Sequence, residues 1–219
     1  MRPDIAFTAS RLAQHNTRLG LIHDTAADHV LHYLKNTRDL ALEFDGNRAD
    51  DGWIIASDAS FADNIDRKSS QGWMMLLCGG SIAWRATKQS TVTTSTTEAE
   101  LLAVSETARE AMFMARLLKA LDKKLDSAMT IQCDNQQTVG LLTKENTVLN
   151  TRLRHVDIHH HWLRQEVQRQ HIQIIWIKTA KMVADGMTKA LPRLKFEVFR
   201  EACGLKKIGH LIKDTETKR

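Results

Sequence analysis

The chain has 219 residues, of which 42% are hydrophobic and 26% charged, and a formal net charge of +5 at neutral pH. With only two prolines and ten glycines, this composition excludes a disordered or collagen-like chain and leaves room for one medium domain with appendages. The mild excess of base suits a polyanionic partner, and the strongest apolar run, 73–78, is far too short to span a bilayer, so no membrane partner is expected. Three cysteines, Cys78, Cys133 and Cys203, are odd in number, widely spaced and without a CxxC pair. They point to reduced thiols and a cytoplasmic or nuclear location. No apolar stretch follows the charged start, so no signal peptide is expected.

Residues 4–44 read as helical, with Asp24 or Thr25 as a cap and Val30, Tyr33 and Leu34 on one face. Asp45-Gly46-Asn47 ends that region, and 48–51 reads as a linker. The period then changes. Residues 53–56 form a short apolar run, a candidate strand. A polar loop over 61–71, a second strand at 73–77, a tight turn at Gly79-Gly80 and a third strand at 81–85 complete an antiparallel meander. A long helix follows. Ser95-Thr96-Thr97-Glu98 fits the capping box S-x-x-E, and Leu101, Val104, Ala108, Ala111, Ala115 and Leu118 recur at helical spacing. Residues 129–133 form a fourth strand, a helix carries Val139 and Leu142, another covers 155–169, 172–177 is a fifth strand, and a last helical region starts near Met182. Strands beyond the long helix need helical crossovers and so join in parallel. The expectation is an α/β fold: a mixed five-stranded sheet, three antiparallel strands then parallel ones, with helices on both faces. Trp53, Trp73, Trp84, Trp162 and Trp176 sit among apolar neighbours and read as core residues.

Acids fall where strands end or helices begin. Asp58 follows the first strand of the meander and Asp134 follows the fourth strand. Strands in a sheet lie about 4.8 Å apart, so adjacent strand ends bring their residues close. Glu100 lies in the first turns of the long helix, and Asp185 opens the last helical region. Four carboxylates therefore converge at one sheet edge. Such a group repels itself unless a cation neutralises it, and hard divalent ions take oxygen ligands. Two ions, Mg²⁺ or Mn²⁺, would serve both the attacking water and the leaving oxygen of a phosphodiester. Glu98 competes with Glu100 for the helix position. Two residues apart on a helix is a rotation of about 200°, so both cannot face the sheet. Glu98 is assigned to the capping box and Glu100 to the site.

Ser57-Asp58-Ala59, Ser95-Thr96-Thr97-Glu98-Ala99-Glu100, Cys133-Asp134-Asn135-Gln136, and Ala184-Asp185 with Met187-Thr188-Lys189 resemble the ribonuclease H domain of copia-type LTR retrotransposon Pol polyproteins. Gln71-Gly72-Trp73, Ile82-Ala83-Trp84 with Lys88-Gln89, and Arg154-His155-Val156-Asp157-Ile158 add to the resemblance, which runs in order over 53–192. It implies a ribonuclease H-like fold and a metal-dependent endonuclease that degrades the RNA strand of an RNA–DNA hybrid during reverse transcription. The family's catalytic, metal-holding carboxylates map onto Asp58, Glu100, Asp134 and Asp185. Arg2-Pro3-Asp4-Ile5-Ala6 and Tyr33-Leu34-Lys35 resemble the segment that joins the reverse transcriptase to the nuclease. The expected organisation is a helical remnant of that connection at 1–45, a ribonuclease H-like domain at 46–192, and a C-terminal helix with a basic tail at 193–219. The resemblance implies the C-terminal piece of a polyprotein, with the reverse transcriptase portion as a partner. The sequence departs from the family at Leu101, where an aromatic is common, at Gly186, where a branched apolar residue is usual, and at Ala190, which replaces a proline.

Lys88, Gln89, Asn135, Gln136 and Ser60 are candidates for contacts to phosphate, sugar or the hybrid's minor groove, where 2′-hydroxyls are displayed. His155, His159, His160 and His161 invite a zinc reading, since His155 and His159 are four apart. No cysteine or further ligand is read near them in sequence, and the resemblance places the run on an ordinary helix. Two other readings keep the fold without the chemistry: an inactive remnant that binds nucleic acid, and a structural module that acts only within a polyprotein.

Overall fold

The structure, a computed structural model, describes residues 1–45, 53–122, 128–145 and 147–208; the linker read at 48–51 and the tail beyond Ile208 lie outside the described residues. The helical start is two helices, α1 (Ala6–Ala13) and α2 (Leu21–Asn36). Gly20, not Asp24 or Thr25, stands at the N-cap of α2, and its N–H donates to His23 Nδ1 at 3.1 Å. Glycine offers no capping side chain to read in a sequence, which is why the expectation falls four or five residues late. Asp24 instead lies in the first turn, where its charge complements the helix dipole. Asp4 is buried, takes two N–H groups from Arg2 at 3.0 and 2.8 Å, and accepts the Tyr33 hydroxyl. Arg2 also donates to the Thr37 carbonyl at 2.9 Å. This polar cluster joins the first residues to the far end of α2. Beyond it, 40–42 is not helix but strand β1 (Leu40–Leu42).

Strands β2 (Ile54–Ser60), β3 (Ser70–Leu77) and β4 (Gly80–Lys88) form the expected meander. Cys78 and Gly79 both have positive φ, 51° and 79°, as a tight hairpin turn of matching twist requires. Helix α3 (Thr96–Ala120) crosses to β5 (Met129–Cys133), and α4 (Gln136–Thr143) and α5 (Arg154–Gln168) cross to β6 (Ile172–Trp176). The sheet order is β4-β3-β2-β5-β6, with β2, β3 and β4 antiparallel and β2, β5 and β6 parallel.

Side-chain alternation assigns each face its partner. Ile55, Trp73, Met75, Ile131 and Ile174 pack with Leu101, Val104 and Ala108 of α3 and with Val156 and Leu163 of α5 in the main core. Ala56 and Met74 point the other way, toward Met182, Ala184 and Met187. Of the five tryptophans, Trp73 is buried, Trp53, Trp84 and Trp162 border the cores, and Trp176 is 42% exposed. The core reading of Trp176 is therefore corrected.

The single helical region expected near Met182 is split. A 3-10 turn (Thr179–Lys181) leads to a one-turn helix α6 (Asp185–Thr188), and α7 (Arg193–Ala202) starts after Pro192. Proline lacks an N–H and disfavours helix in the residue before it, so the chain runs extended between the two. Strand β7 (Leu205–Lys207) then pairs antiparallel with β1, Leu205 opposite Leu42. Gly204 has φ +83°, and a Cβ there would lie 2.5 Å from the Gly79 carbonyl oxygen, so the β7 entry presses directly on the β3–β4 turn.

Gly186 and Phe199 form a complementary pair. A Cβ at Gly186 would lie 2.6 Å from the Phe199 ring, which fills the space a side chain would take. Gly186→Val is expected to destabilise the protein by roughly 1–3 kcal/mol through overpacking, and pairing it with Phe199→Leu to recover part of that loss. Chemical denaturation of the two single variants and the double variant tests this; additive losses would separate the two residues.

Candidate active site

The parallel register of β2 and β5 sets Ala56 opposite Gln132, and two residues on stand the acids: Asp58, which lies within β2 and not after the strand as expected, since β2 continues to Ser60, and Asp134, just past the end of β5. Glu100 comes to them from the second turn of α3, and the Ala59 backbone N–H bonds to its carboxylate. Ligand oxygens of Asp58, Glu100 and Asp134 all lie within 4.8 Å of one another. Asp58 is fully buried and Glu100 nearly so, while Asp134 is half-buried. Burial and the neighbouring acids Asp185 and Asp134 push the Asp58 carboxyl up to about 6, against Lys189 and Thr188, which lower it. Glu100 is raised well above the ordinary value by burial first, then by Asp58 and Asp134.

Asp185 is placed differently. Among the described residues it is not within the three-acid cluster. Its Oδ1 accepts from Lys189 Nζ at 2.7 Å, and the same ammonium lies 3.3 Å from Asp58 Oδ2. Thr188 donates its hydroxyl to Asp58. Burial opposes the charge of Lys189, but Asp58 and Asp185 hold its pKa above the usual lysine value. Lys189 is thus the internal counter-ion that joins the fourth acid to the other three. The sequence signal was the four-residue spacing of Asp185 and Lys189, which puts them on one side of a turn.

The packing beneath α6 depends on Gly72. Its partner across β2 is Asp58, and a Cβ on it would lie 2.4 Å from the Met187 Cβ. Any side chain there would push α6, with Asp185 and Thr188, away from Asp58. Trp176, expected in the core, belongs here instead: its indole N–H donates to the Asp134 carbonyl at 3.0 Å and anchors the end of β5.

Glu98 and Glu100 are both buried but diverge as helix rotation requires. Ser95 Oγ accepts the Glu98 N–H at 3.2 Å, which is half of the expected capping box. The returning bond is corrected: Glu98 Oε2 takes the N–H and hydroxyl of Thr94, at 2.6 and 2.8 Å, and Oε1 takes the Thr151 hydroxyl. Burial works to raise the Glu98 pKa, but these bonds outweigh it and hold the group below its ordinary value.

The candidate substrate contacts separate into two groups. Gln89 is buried, and its amide donates to the Ala99 carbonyl at 2.8 Å and to Gln71 at 3.1 Å, so it anchors α3. Asn135 Oδ1 caps α4 by accepting the Thr138 N–H at 2.9 Å. Lys88 is half-exposed and pairs with Asp66 at 3.1 Å. Gln136 is exposed on the first turn of α4, and Ser60 is half-buried at the end of β2.

The donor set is all oxygen, and one of its atoms, Glu100 Oε2, is buried with no hydrogen-bond partner. Crowded carboxylates with an unpartnered oxygen fit a hard divalent cation. No helix among the described residues is long and apolar enough to cross a membrane.

No protein-family model matches the chain. It is similar to the retrovirus-related Pol polyprotein from transposon TNT 1-94 of Nicotiana tabacum, with 34% identity over 205 residues, 93% of this chain and 15% of that protein. The polyprotein from transposon RE2 of Arabidopsis thaliana is 32% identical over 209 residues, 94% of this chain and 14% of its own. The Ty1-JR2 Gag-Pol polyprotein of Saccharomyces cerevisiae is 32% identical over 172 residues, 77% of this chain and 10% of its own. The chain spans about a seventh of the length of the first two. Among solved structures, the LC11-RNase H1 isolated from compost aligns with a TM-score of 0.48 and 14% identity, over 63% of this chain and 93% of that one. The β4-β3-β2-β5-β6 sheet with its antiparallel and parallel halves is a ribonuclease H-like fold. Over the stretch that aligns, the chain belongs to the Pol polyproteins of copia-type retrotransposons.

Proposed function

We propose that the chain is a metal-dependent endoribonuclease that cuts the RNA strand of RNA–DNA hybrids during retrotransposon reverse transcription. The observation that carries this reading is the buried triangle of Asp58, Glu100 and Asp134, with ligand oxygens within 4.8 Å of one another. Such crowding opposes folding unless a cation relieves it, so it has a chemical use and no structural one. In this reading Asp58, Glu100, Asp134 and Asp185 hold two Mg²⁺ ions, or Mn²⁺. When bound, the ions supply the charge that stabilises both the attacking and the leaving oxygen of a phosphodiester. The chain's own residues bind and orient the hybrid. Lys88, half-exposed, and Gln136, exposed, are the candidates for phosphate and sugar, and Ser60 and Asn135, two residues after Asp58 and one after Asp134 in the chain, are the candidates beside the acids. Selectivity for RNA comes from the 2′-hydroxyl, which is what separates the two strands of a hybrid. We take 46–192 as the nuclease unit with 1–45 and 193–219 flanking it. The reverse transcriptase of the same polyprotein is the partner, in an intracellular, cytoplasmic or nuclear setting.

Folded Asp58 keeps its proton to about pH 6, against 3.8 ordinarily, so the folded state holds more protons than the unfolded chain across that window. Metal-free stability contributed by Asp58 is therefore present at low pH and lost as pH rises through about 6. In EDTA, the melting temperature of Asp58→Asn relative to wild type is expected to climb between about pH 4 and 7. A difference flat in pH would remove Asp58 from the charged cluster.

Glu98 and Glu100 are expected to separate stability from rate. Glu98→Ala strands the Thr94 N–H and releases Thr151, at a cost of about 1–3 kcal/mol, with most activity kept. Glu100→Gln keeps the shape and is expected to lose at least about a hundredfold in rate. Melting curves and turnover on both variants check this; an inactive Glu98→Ala beside an active Glu100→Gln reverses the assignment.

The deciding experiment follows labelled RNA paired to DNA, with Mg²⁺, Mn²⁺ or EDTA, alongside duplex DNA and the Asp134→Asn variant. Metal-dependent release of RNA fragments is expected, with little cutting of DNA and none by the variant. Binding of hybrid in Ca²⁺ without fragments in either active metal would make the chain a nucleic-acid-binding remnant, and equal cutting of both duplexes would make it a general nuclease.

A further inference from the structure

Helix α5 carries four histidines, and two of them are committed elsewhere. His155 Nε2 lies 3.2 Å from the Thr91 hydroxyl and His159 Nδ1 lies 2.8 Å from the Ser105 hydroxyl. The pair that invites a zinc reading in the sequence is therefore spent on holding α5 to its neighbours. The other two histidines form a separate constellation with Asp157.

Asp157, His160 and His161 are related as i, i+3 and i+4, so they share one side of the helix. One ligand atom from each lies within 4.8 Å of the other two. His161 Nε2 is 3.5 Å from Asp157 Oδ1. His160 is only 2% exposed, and its Nε2 lies 3.3 Å from the Leu141 carbonyl oxygen. A carbonyl only accepts, so Nε2 carries the ring proton and Nδ1 keeps its lone pair. That Nδ1 is buried and has no hydrogen-bond partner. An imidazole anchored through one N–H to a backbone carbonyl, with its other nitrogen bare, has the orientation that metal-binding histidines adopt. Burial lowers the His160 pKa, which keeps the ring neutral and ready to ligate near pH 7. The nearby guanidinium of Arg164 is occupied by the Thr147 and Lys144 carbonyls, at 2.6 and 3.2 Å.

We propose that Asp157, His160 Nδ1 and His161 Nε2 form a second metal site, for a transition-metal dication of the zinc class, separate from the carboxylate cluster. Two imidazoles and one carboxylate suit such ions, whereas an all-oxygen set suits Mg²⁺. Ligand bonds of about 2.0–2.1 Å need the three atoms somewhat closer together than they stand. The side chains that must move, His161 and Asp157, are 72% and 47% exposed. Solvent takes the fourth position. Through the Leu141 bond the ion also fixes α5 against α4, the helix that begins just after Asp134.

The test titrates the full, untagged chain with Zn²⁺ in saturating Mg²⁺, by calorimetry, melting temperature and nitrogen-detected spectra of the imidazoles. One Zn²⁺ per chain is expected, with a raised melting temperature and shifted His160 and His161 ring signals. Affinity is expected to fall at least about tenfold in His161→Ala and in Asp157→Asn, and to hold in His155→Ala and Asp134→Asn. Both ligand changes are at the surface, and the wild-type ring signals report independently of them. Absence of bound Zn²⁺, affinity unmoved by His161→Ala, or affinity lost with His155→Ala overturns the proposal. Loss with Asp134→Asn overturns it too, because it puts the ion in the carboxylates.

Discussion

Mutual repulsion among Asp58, Glu100 and Asp134 is the constraint around which the rest of the molecule is arranged. Two like charges about 5 Å apart repel by about 3 kcal/mol at an effective dielectric near 20, and here three acids stand within that range. The fold holds them there by rigid means. Two come from neighbouring parallel strands, Asp58 from within β2 and Asp134 from just past β5, whose spacing the backbone ladder dictates. The third comes from a long helix whose start is capped by Ser95 and tied through Glu98 to Thr94 and Thr151. Lys189 and Thr188 soften the repulsion from the opposite side. Movement of any one of these supports changes the charge balance of all three acids.

Two glycines decide how that opposite side is built. Gly72 lets Met187 approach the sheet, and Gly186 makes room for the Phe199 ring. One glycine therefore brings α6 down onto the sheet and the other brings α7 down onto α6. The departure at Gly186 looks in sequence like a weakened helix start. In the fold it is one half of a packing pair, whose other half lies on a different helix.

The five strands of the main sheet were legible because each buries a face and so shows its period locally; β5 follows the expected 129–133. Glu100 was legible for the same reason, since helix rotation excludes Glu98 from the same face. What was not legible depends on distant partners. Strands β1 and β7 are three residues each and take their identity only from one another. Gln89 reads in sequence as a candidate contact to phosphate or sugar, and only the fold brings the Ala99 carbonyl beside its amide. Trp176 looked apolar by its neighbours, but its place is set by the Asp134 carbonyl on the adjacent strand. Lys189 stands in the Met187-Thr188-Lys189 motif, but its role depends on Asp58, far away in the chain, which only the fold brings within reach.

The pairing of β1 with β7 also bears on how the molecule is made. During synthesis β1 emerges before the main sheet, but its partner strand appears only after the whole five-stranded sheet has been produced. Until then β1 presents an unsatisfied backbone edge, and such edges recruit other chains. Closure of this ribbon is consequently a late, long-range event that follows formation of the main sheet. A ribosome halted before Leu205 would leave a nascent chain whose carboxylate-bearing sheet is complete while its first strand is still open to whatever β-edge it meets.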